Sequence, residues 1–190
     1  MKGVNCFLPL LILLQFAKAN HVDEFYDMLE KPGAVVIKMK YTQTQFGNIF
    51  KSVGVCYFIN SDEYLYKSVD LEIYAQVDQI MTKNFRTRQI LYNSINKNHF
   101  SLMNILSGDR SQIKFIDNRD RDFNYHFTIS QLGFDGFFSF NSKTGLMQSL
   151  NLKTGQDQSI FIEVISIDAI EDFSMPRMNI EDFDIIDLRG

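Results

Sequence analysis

The sequence predicts a mainly β (α+β) protein built on one large antiparallel sheet curled on itself, and three observations lead to this class. Short segments in which apolar and polar residues alternate fill most of the 190 residues. Hairpin-type turns separate these segments, and only two stretches have helical spacing instead. No linker, low-complexity tract or internal repeat divides the rest of the chain, so we expect one domain at residues 20–190.

The first element of this domain is a short amphipathic helix. Val22, Phe25, Tyr26 and Leu29 recur at helical spacing until Pro32-Gly33 ends the pattern. Beyond it the period changes to two, which indicates strands joined as a β-meander. With a turn expected at Gly47-Asn48, the strand candidates are residues 35–42, 49–59, 64–69, 71–77, 80–83 and 85–91.

A second helix interrupts the strands in the middle of the chain and ends near Ser107-Gly108. The residues on its apolar face are Ile95, His99, Leu102, Met103 and Leu106. Strand patterns then resume. The candidates are residues 112–116 and 123–132, three further strands with turns at residues 134–136, 142–145 and 153–156, and a terminal strand at residues 183–188.

Residues 1–19 have the three parts of a secretory signal peptide. Lys2 supplies the positive start, residues 7–14 form the apolar run, and Ala17-Lys18-Ala19 places small residues at the positions that signal peptidase reads. The run is shorter than the roughly 20 residues of a membrane-spanning helix. We therefore expect export to the periplasm with cleavage after Ala19. Cys6 lacks the Leu-x-small-Cys context of a lipoprotein signal, so we expect no lipid on the protein itself.

The charge and the reactive residues exclude several classes of function. The formal net charge is −4, and loss of the two lysines in the signal makes the remaining chain more acidic, so we expect no nucleic-acid partner. The histidines, His21, His99 and His126, lack the spacing of metal ligands. Cys56 lies within a strand as a small apolar residue. No phosphate-binding glycine loop or Gly-x-Ser-x-Gly elbow is present. The sequence therefore predicts no catalytic site, no metal and no cofactor.

The aromatic content has two interpretations. The chain contains 18 Phe and 8 Tyr without a single Trp. Many of them lie on strands, where side chains of one parity share a face. A curled sheet lined in this way holds a hydrophobic guest, but the same residues equally make an ordinary β core. Composition leaves both open.

Several short segments follow one another in an order and spacing that resemble the periplasmic lipoprotein carrier family of the LolA type. After the initial helix the matching segments are Tyr41-Thr42-Gln43, Gly54 with Tyr57-Phe58, Tyr64-Leu65-Tyr66, residues 73–78, residues 99–103 as a lid helix, and residues 144–147, 152–156, 159–162 and 183–187. There are three departures, one of which is that Ile80-Met81 stand where an aromatic residue usually follows the Asp-Gly turn. Asn60-Ser61 replaces the common Arg-Pro pair, whose Arg is thought to hold the lid closed, and Asp78-Gln79 replaces an Asp-Gly turn.

The resemblance implies an open half-barrel whose concave face is covered by short helices over a cavity for acyl chains. The residues expected at this cavity are Tyr64, Tyr66 and Ile73 on the strands and Phe25, Leu29, Leu102 and Met103 on the covering helices. Each of them equally fits an ordinary core, because lid and core are the same surface in the closed state. The implied partners are acylated lipoproteins, an inner-membrane lipoprotein-releasing ABC transporter and an outer-membrane lipoprotein acceptor, with the carrier itself a monomer.

Together these features predict a periplasmic chaperone that shields the acyl chains of lipoproteins and transfers them from the inner to the outer membrane, without enzymatic activity. One alternative is an envelope sensor or structural module that uses the same half-barrel to bind another hydrophobic ligand or a protein. A secreted hydrolase is a third, and it would need a convergent carboxylate or histidine site that the sequence does not display.

Overall fold

The computed structural model describes residues 20–60, 62–76, 78–94, 105–106, 113–116 and 123–189. Within these residues it has one complete helix and twelve strands, all in a single sheet. The elements are α1 (His21–Leu29), β1 (Ala34–Gln45), β2 (Asn48–Phe58), β3 (Tyr64–Ser68), β4 (Leu71–Gln76), β5 (Gln79–Asn84), β6 (Gln89–Ser94), β7 (Lys114–Phe115), β8 (Asn124–Ile129), β9 (Phe134–Phe140), β10 (Met147–Gly155), β11 (Gln158–Ile170) and β12 (Asp184–Asp187).

The strands lie in the order β12-β6-β5-β4-β3-β2-β1-β11-β10-β9-β8-β7. Two antiparallel meanders, β1 to β6 and β7 to β11, are joined where β1 pairs with β11 from Ala34 opposite Ile170 to Gln45 opposite Gln158. Strand β12 is added in parallel beside β6. In the described residues the two edges, β7 and β12, do not pair with each other, so the sheet stays open. The prediction of a mainly β fold on one open antiparallel sheet is confirmed.

Helix α1 begins at a polar cap and ends before a glycine turn. The Asn20 side chain accepts a hydrogen bond from the N–H of Val22 at 3.1 Å, and two acidic residues in the first turn suit the positive end of the helix dipole. After the helix, Gly33 adopts a φ of +100°, and a Cβ atom there would lie 2.2 Å from the Ile170 carbonyl oxygen. Only glycine fits this position. The predicted helix and its end at Pro32-Gly33 are confirmed.

The buried face of α1 packs on the concave face of the sheet and forms the core with it. The Phe25 ring lies 6.4 Å from that of Phe138 and 6.3 Å from that of Phe140, both on β9. The Tyr26 hydroxyl donates a hydrogen bond of 2.8 Å to the carbonyl of Ile105, which ties α1 to a second helical segment. These contacts place α1 over the β8–β9 part of the concave face.

A C-terminal segment, residues 171–183, crosses the opposite, convex face, and we call it the C-terminal strap. Phe173 stacks on Tyr57 of β2 with ring centroids 5.1 Å apart. The Lys83 ammonium of β5 donates to the Asn179 carbonyl at 2.6 Å and lies 4.3 Å from the Phe183 ring centroid. The convex-face side chains buried on these strands are Leu65, Tyr74 and Ile90. The strap therefore gives this part of the sheet a second buried face before β12 joins the edge.

The strand expected at residues 85–91 starts later, at Gln89, and this part of the prediction is wrong. Residues 85–88 form a turn instead. The Asn84 side chain accepts hydrogen bonds from the N–H groups of Arg86 and Thr87 at 2.9 and 3.1 Å, and Arg88 follows with a φ of +55°. An Asn that bonds the backbone two residues on initiates a turn whatever the apolar pattern around it.

Two predicted hairpin turns are also displaced. Residues 134–136 open strand β9, and the turn lies at residues 130–133, where Gly133 has a φ of +66°. Gly136 has another role, because a Cβ atom there would lie 2.5 Å from Cζ of Phe127 across the sheet. The turn expected at residues 153–156 forms at residues 156–157, since β10 continues to Gly155.

Two other predictions fall largely outside the described residues. These are the signal peptide at residues 1–19 and most of the middle helix, of which Ile105 and Leu106 are described, helical and fully buried. Cleavage after Ala19 stays a prediction. In the part of the chain that the structure does describe, no helix combines the length and the hydropathy of a membrane span.

Candidate functional site

A cavity of about 380 Å³ opens on the concave face of the first meander. Helix α1 contributes none of its described lining. The described residues that line it are Met39, Tyr41, Gln43, Phe50, Ser52, Tyr64, Tyr66, Ser68, Asp70, Leu71, Ile73, Ile80 and Thr82. All of them belong to strands β1 to β5 or to the turn between β3 and β4.

The wall of this cavity is assembled by strand register. Tyr41 of β1 lies opposite Ser52 of β2, and Tyr66 of β3 lies opposite Ile73 of β4, which in turn lies opposite Thr82 of β5. Directly paired residues project to the same face of a sheet. The hairpins thus collect alternate side chains of five strands on one concave surface.

Gly54 of β2 determines where the Tyr66 ring lies. A Cβ atom built on Gly54 would come within 2.4 Å of Cε2 and of the hydroxyl oxygen of Tyr66. The ring therefore lies against the β2 backbone, in space that any larger residue at position 54 would take. A glycine within a strand often marks such a close approach. Here it leaves volume for the cavity.

The polar groups in the cavity wall are nearly all uncharged. The Tyr41 hydroxyl donates to Oε1 of Gln43 at 3.0 Å, and burial, with a smaller effect from Tyr66, raises the pKa of Tyr41 above its ordinary value. Ser68 bonds the backbone of Leu71 through its hydroxyl. Asp70 is the one charged residue in the described lining. The cavity thus offers apolar surface with a few hydroxyls and one carboxylate.

Phe50 of β2 lines the open end of the cavity and is 44% exposed. At the other end Met39 and Tyr64 are buried. The cavity therefore runs from a buried apolar end to a half-exposed aromatic side chain at its open end.

The structure separates the predicted site residues into two groups. Tyr64, Tyr66 and Ile73 lie together in the cavity wall. Phe25 and Leu29 are buried in the core under α1 and are absent from the described lining. Leu102 and Met103 lie outside the described residues. A ligand role for any of these seven residues stays a prediction.

The other lining residues were not predicted from the sequence, although two signals for them exist. Tyr41 and Gln43 belong to the Tyr41-Thr42-Gln43 segment noted in the sequence. Their side chains project to the same face of β1 as that of Met39. Gly54 in mid-strand signals a bulky neighbour on the next strand. Without the pairing register, neither signal tells which face is concave.

The remaining reactive groups do not form a second site in the described residues. Cys56 is fully buried on the concave face, and burial raises the pKa of its thiol well above the ordinary value, so the thiol stays protonated. His126 of β8 bonds Asp135 of β9 at 2.5 Å and stacks on Phe137. No group of three or more His, Cys, Asp or Glu side chains is arranged to hold a metal ion in this part of the chain.

Comparison with known proteins shows similarity in fold alone. No protein-family model matches the chain, and no curated protein matches it. An uncharacterized conserved protein from Thermus thermophilus superposes with a TM-score of 0.53 at 4% identity, over 87% of this chain and 96% of its own. A LolA superfamily protein from Nitrosomonas europaea superposes with a TM-score of 0.54 at 6% identity, over 81% of this chain and 93% of its own. The chain thus shares its fold with a LolA superfamily protein.

Proposed function

We propose that this protein is a carrier that binds acyl chains in the concave-face cavity and shields them from water. The observation behind this proposal is the cavity itself, which lies on an open curved sheet, ends in buried Met39 and Tyr64, and has Asp70 as its one charged described residue. A catalytic site needs convergent polar groups, whereas an apolar chain needs only volume and apolar surface. The cavity offers volume and apolar surface.

The energetics suit a carrier. Each methylene buried from water contributes about 0.8 kcal/mol, so even part of an acyl chain gives useful affinity. The cavity is open at the end where Phe50 is 44% exposed, so a chain can enter and leave there. The sequence has no nucleotide-binding loop. Release is therefore expected to depend on a receiver with higher affinity.

A more specific proposal is that the protein is a periplasmic lipoprotein chaperone of the LolA family. Its support is the order of LolA-like segments in the sequence, the expected signal cleaved after Ala19, and the fold shared with a LolA superfamily protein. Its partners would be acylated lipoproteins, an inner-membrane lipoprotein-releasing ABC transporter and an outer-membrane lipoprotein acceptor, with the carrier as a monomer and not an enzyme.

A different observation favours the alternative of a sensor or structural module that contacts a protein. Phe161 of β11 and Phe137 of β9 both lie beside Asn151 of β10 and project to the convex face. Their exposed fractions are 41% and 44%. Exposed aromatic residues of this kind are typical of protein contact surfaces.

Binding of a fluorescent fatty acid by the purified protein tests the carrier proposal. Ile73→Glu places a charge in the cavity wall and should weaken binding by about tenfold or more. Ile165→Glu is the matched control, because Ile165 is 45% exposed and absent from the described lining. If neither variant loses binding, or if the unaltered protein does not bind the fatty acid, the alternative of a sensor or structural module is favoured.

Depletion of the protein from cells tests the proposed role as a lipoprotein chaperone. Outer-membrane lipoproteins should then accumulate in the inner membrane. Correct sorting in depleted cells would exclude the lipoprotein role and would leave acyl-chain binding to be explained by another cargo.

A further inference from the structure

The volume of the cavity limits how many acyl chains it holds. A methylene group is close in size to a water molecule, whose share of the liquid is ~30 Å³. A cavity of about 380 Å³ therefore has room for roughly a dozen methylenes. This is about the length of one ordinary acyl chain.

The distribution of polarity orients that chain. Met39 and Tyr64 at the inner end are 2% and 7% exposed, whereas Phe50 at the open end is 44% exposed. The methyl end of a chain gains most from the buried end. The head group is then left at the mouth, beside Asp70.

Asp70 gives the mouth a negative charge. Among the described residues its carboxylate forms no salt bridge and is the one charged group lining this cavity, while Lys40, Lys51 and Glu163 lie with it around the adjoining convex-face pocket. A carboxylate head group placed here meets a like charge, whereas a cationic or uncharged group does not. The mouth thus disfavours a free fatty acid relative to an amphiphile of the same chain length with a cationic or uncharged head.

We propose that the cavity takes a single acyl chain, and that its preferred ligand is a single-chain amphiphile that presents a cationic or uncharged polar group to Asp70. This inference rests on the proposed function, because it specifies the ligand of the same cavity. A lipoprotein with several chains is then engaged through one of them, and its other chains stay outside the cavity.

The test uses two series of saturated amphiphiles with 8 to 18 carbons, one with trimethylammonium and one with carboxylate head groups, below their micelle concentrations. Each displaces a fluorescent acyl probe from the full-length protein. Affinity should rise roughly fourfold per methylene through the short chains and level off at about 12 to 14 carbons. At equal length the trimethylammonium head should bind about threefold to fivefold more tightly at low salt.

Two variants separate the head-group effect from general charge. Asp70→Asn should abolish the preference between heads, and Asp62→Asn, in a different turn, should leave it unchanged. A monoacylated lipopeptide should bind at least as tightly as its triacylated analogue.

Three results would overturn the inference. They are an affinity that keeps rising to 18 carbons, a triacylated lipopeptide that binds more tightly than the monoacylated one, and a head-group preference that survives Asp70→Asn. In each case acyl-chain binding itself stands. Absence of binding by every amphiphile would instead overturn the proposed function.

Discussion

Replacement of Gly54 by alanine tests whether the position of the Tyr66 ring sets the volume of the cavity. The added Cβ would lie 2.4 to 2.5 Å from three atoms at the outer end of the Tyr66 side chain. These atoms belong to the mobile end of the side chain, so the ring has to move, and the open direction is into the cavity. We therefore expect a larger effect on ligand binding than on stability.

The magnitude follows from the displaced volume. The three contacted atoms take space equal to about three methylenes, and at ~0.8 kcal/mol each the variant should lose about 2.4 kcal/mol of binding free energy, or roughly 50-fold in Kd. Overpacking of a part-buried site should cost about 1 kcal/mol in the free energy of unfolding. Both values come from the same sample through probe titration and urea unfolding.

Two further variants make the test specific. Tyr66→Ser removes the ring, so adding it to Gly54→Ala should restore most of the affinity. Gly136→Ala places its Cβ 2.7 Å from the Asn151 carbonyl oxygen as well as against Phe127 in the core, so it should destabilise the protein more and affect binding less. Equal affinity of Gly54→Ala and the unaltered protein would refute the account of the cavity wall.

Three other predictions concern stability. Burial raises the pKa of the Cys56 thiol in the folded protein, so the protonated thiol stabilises the fold fully below about pH 9. As the pH rises further, the unaltered protein should lose about 1.4 kcal/mol of unfolding free energy per pH unit relative to Cys56→Ala, which lacks the thiol. Parallel stabilities of the two proteins from pH 7.5 to 10.5 in urea titrations would contradict this. Asn20→Ala should lower the free energy of unfolding by about 1 kcal/mol through loss of the α1 cap, whereas Asn20→Asp should retain it. Phe183→Ala should cost about 2 kcal/mol, because the half-buried ring covers Lys83, and amide exchange in β12 should accelerate; unchanged exchange there would show that the C-terminal strap does not hold the strand.

Local patterns in the sequence predict the strands well where alternation and turn residues agree. Helix α1 and strands β1 to β4 lie close to their predicted limits because their apolar periods are long and their turns are short. Residues 85–88 fail because a single Asn84 side chain fixes a turn within an apolar pattern. The alternation of apolar and polar residues does not show which side chains form hydrogen bonds with the backbone.

Long-range pairing explains what the sequence leaves open. The parallel addition of β12 beside β6 depends on the path of the C-terminal strap over the convex face. The cavity likewise depends on which alternate side chains of the five strands face the concave side. This is determined only once all of the hairpins have paired. Tyr64, Tyr66 and Ile73 were predicted through family resemblance, whereas Tyr41, Ser52 and Asp70 require the register.

The most direct measurement is the location of a bound acyl chain. A fatty acid with a photoreactive group at its methyl end is crosslinked to the protein, and the modified peptides are identified by mass spectrometry. Crosslinks are expected at the inner cavity wall, at Met39, Tyr64 or Ile80. Crosslinks confined to the convex face, at Phe137 or Phe161, would contradict this expectation.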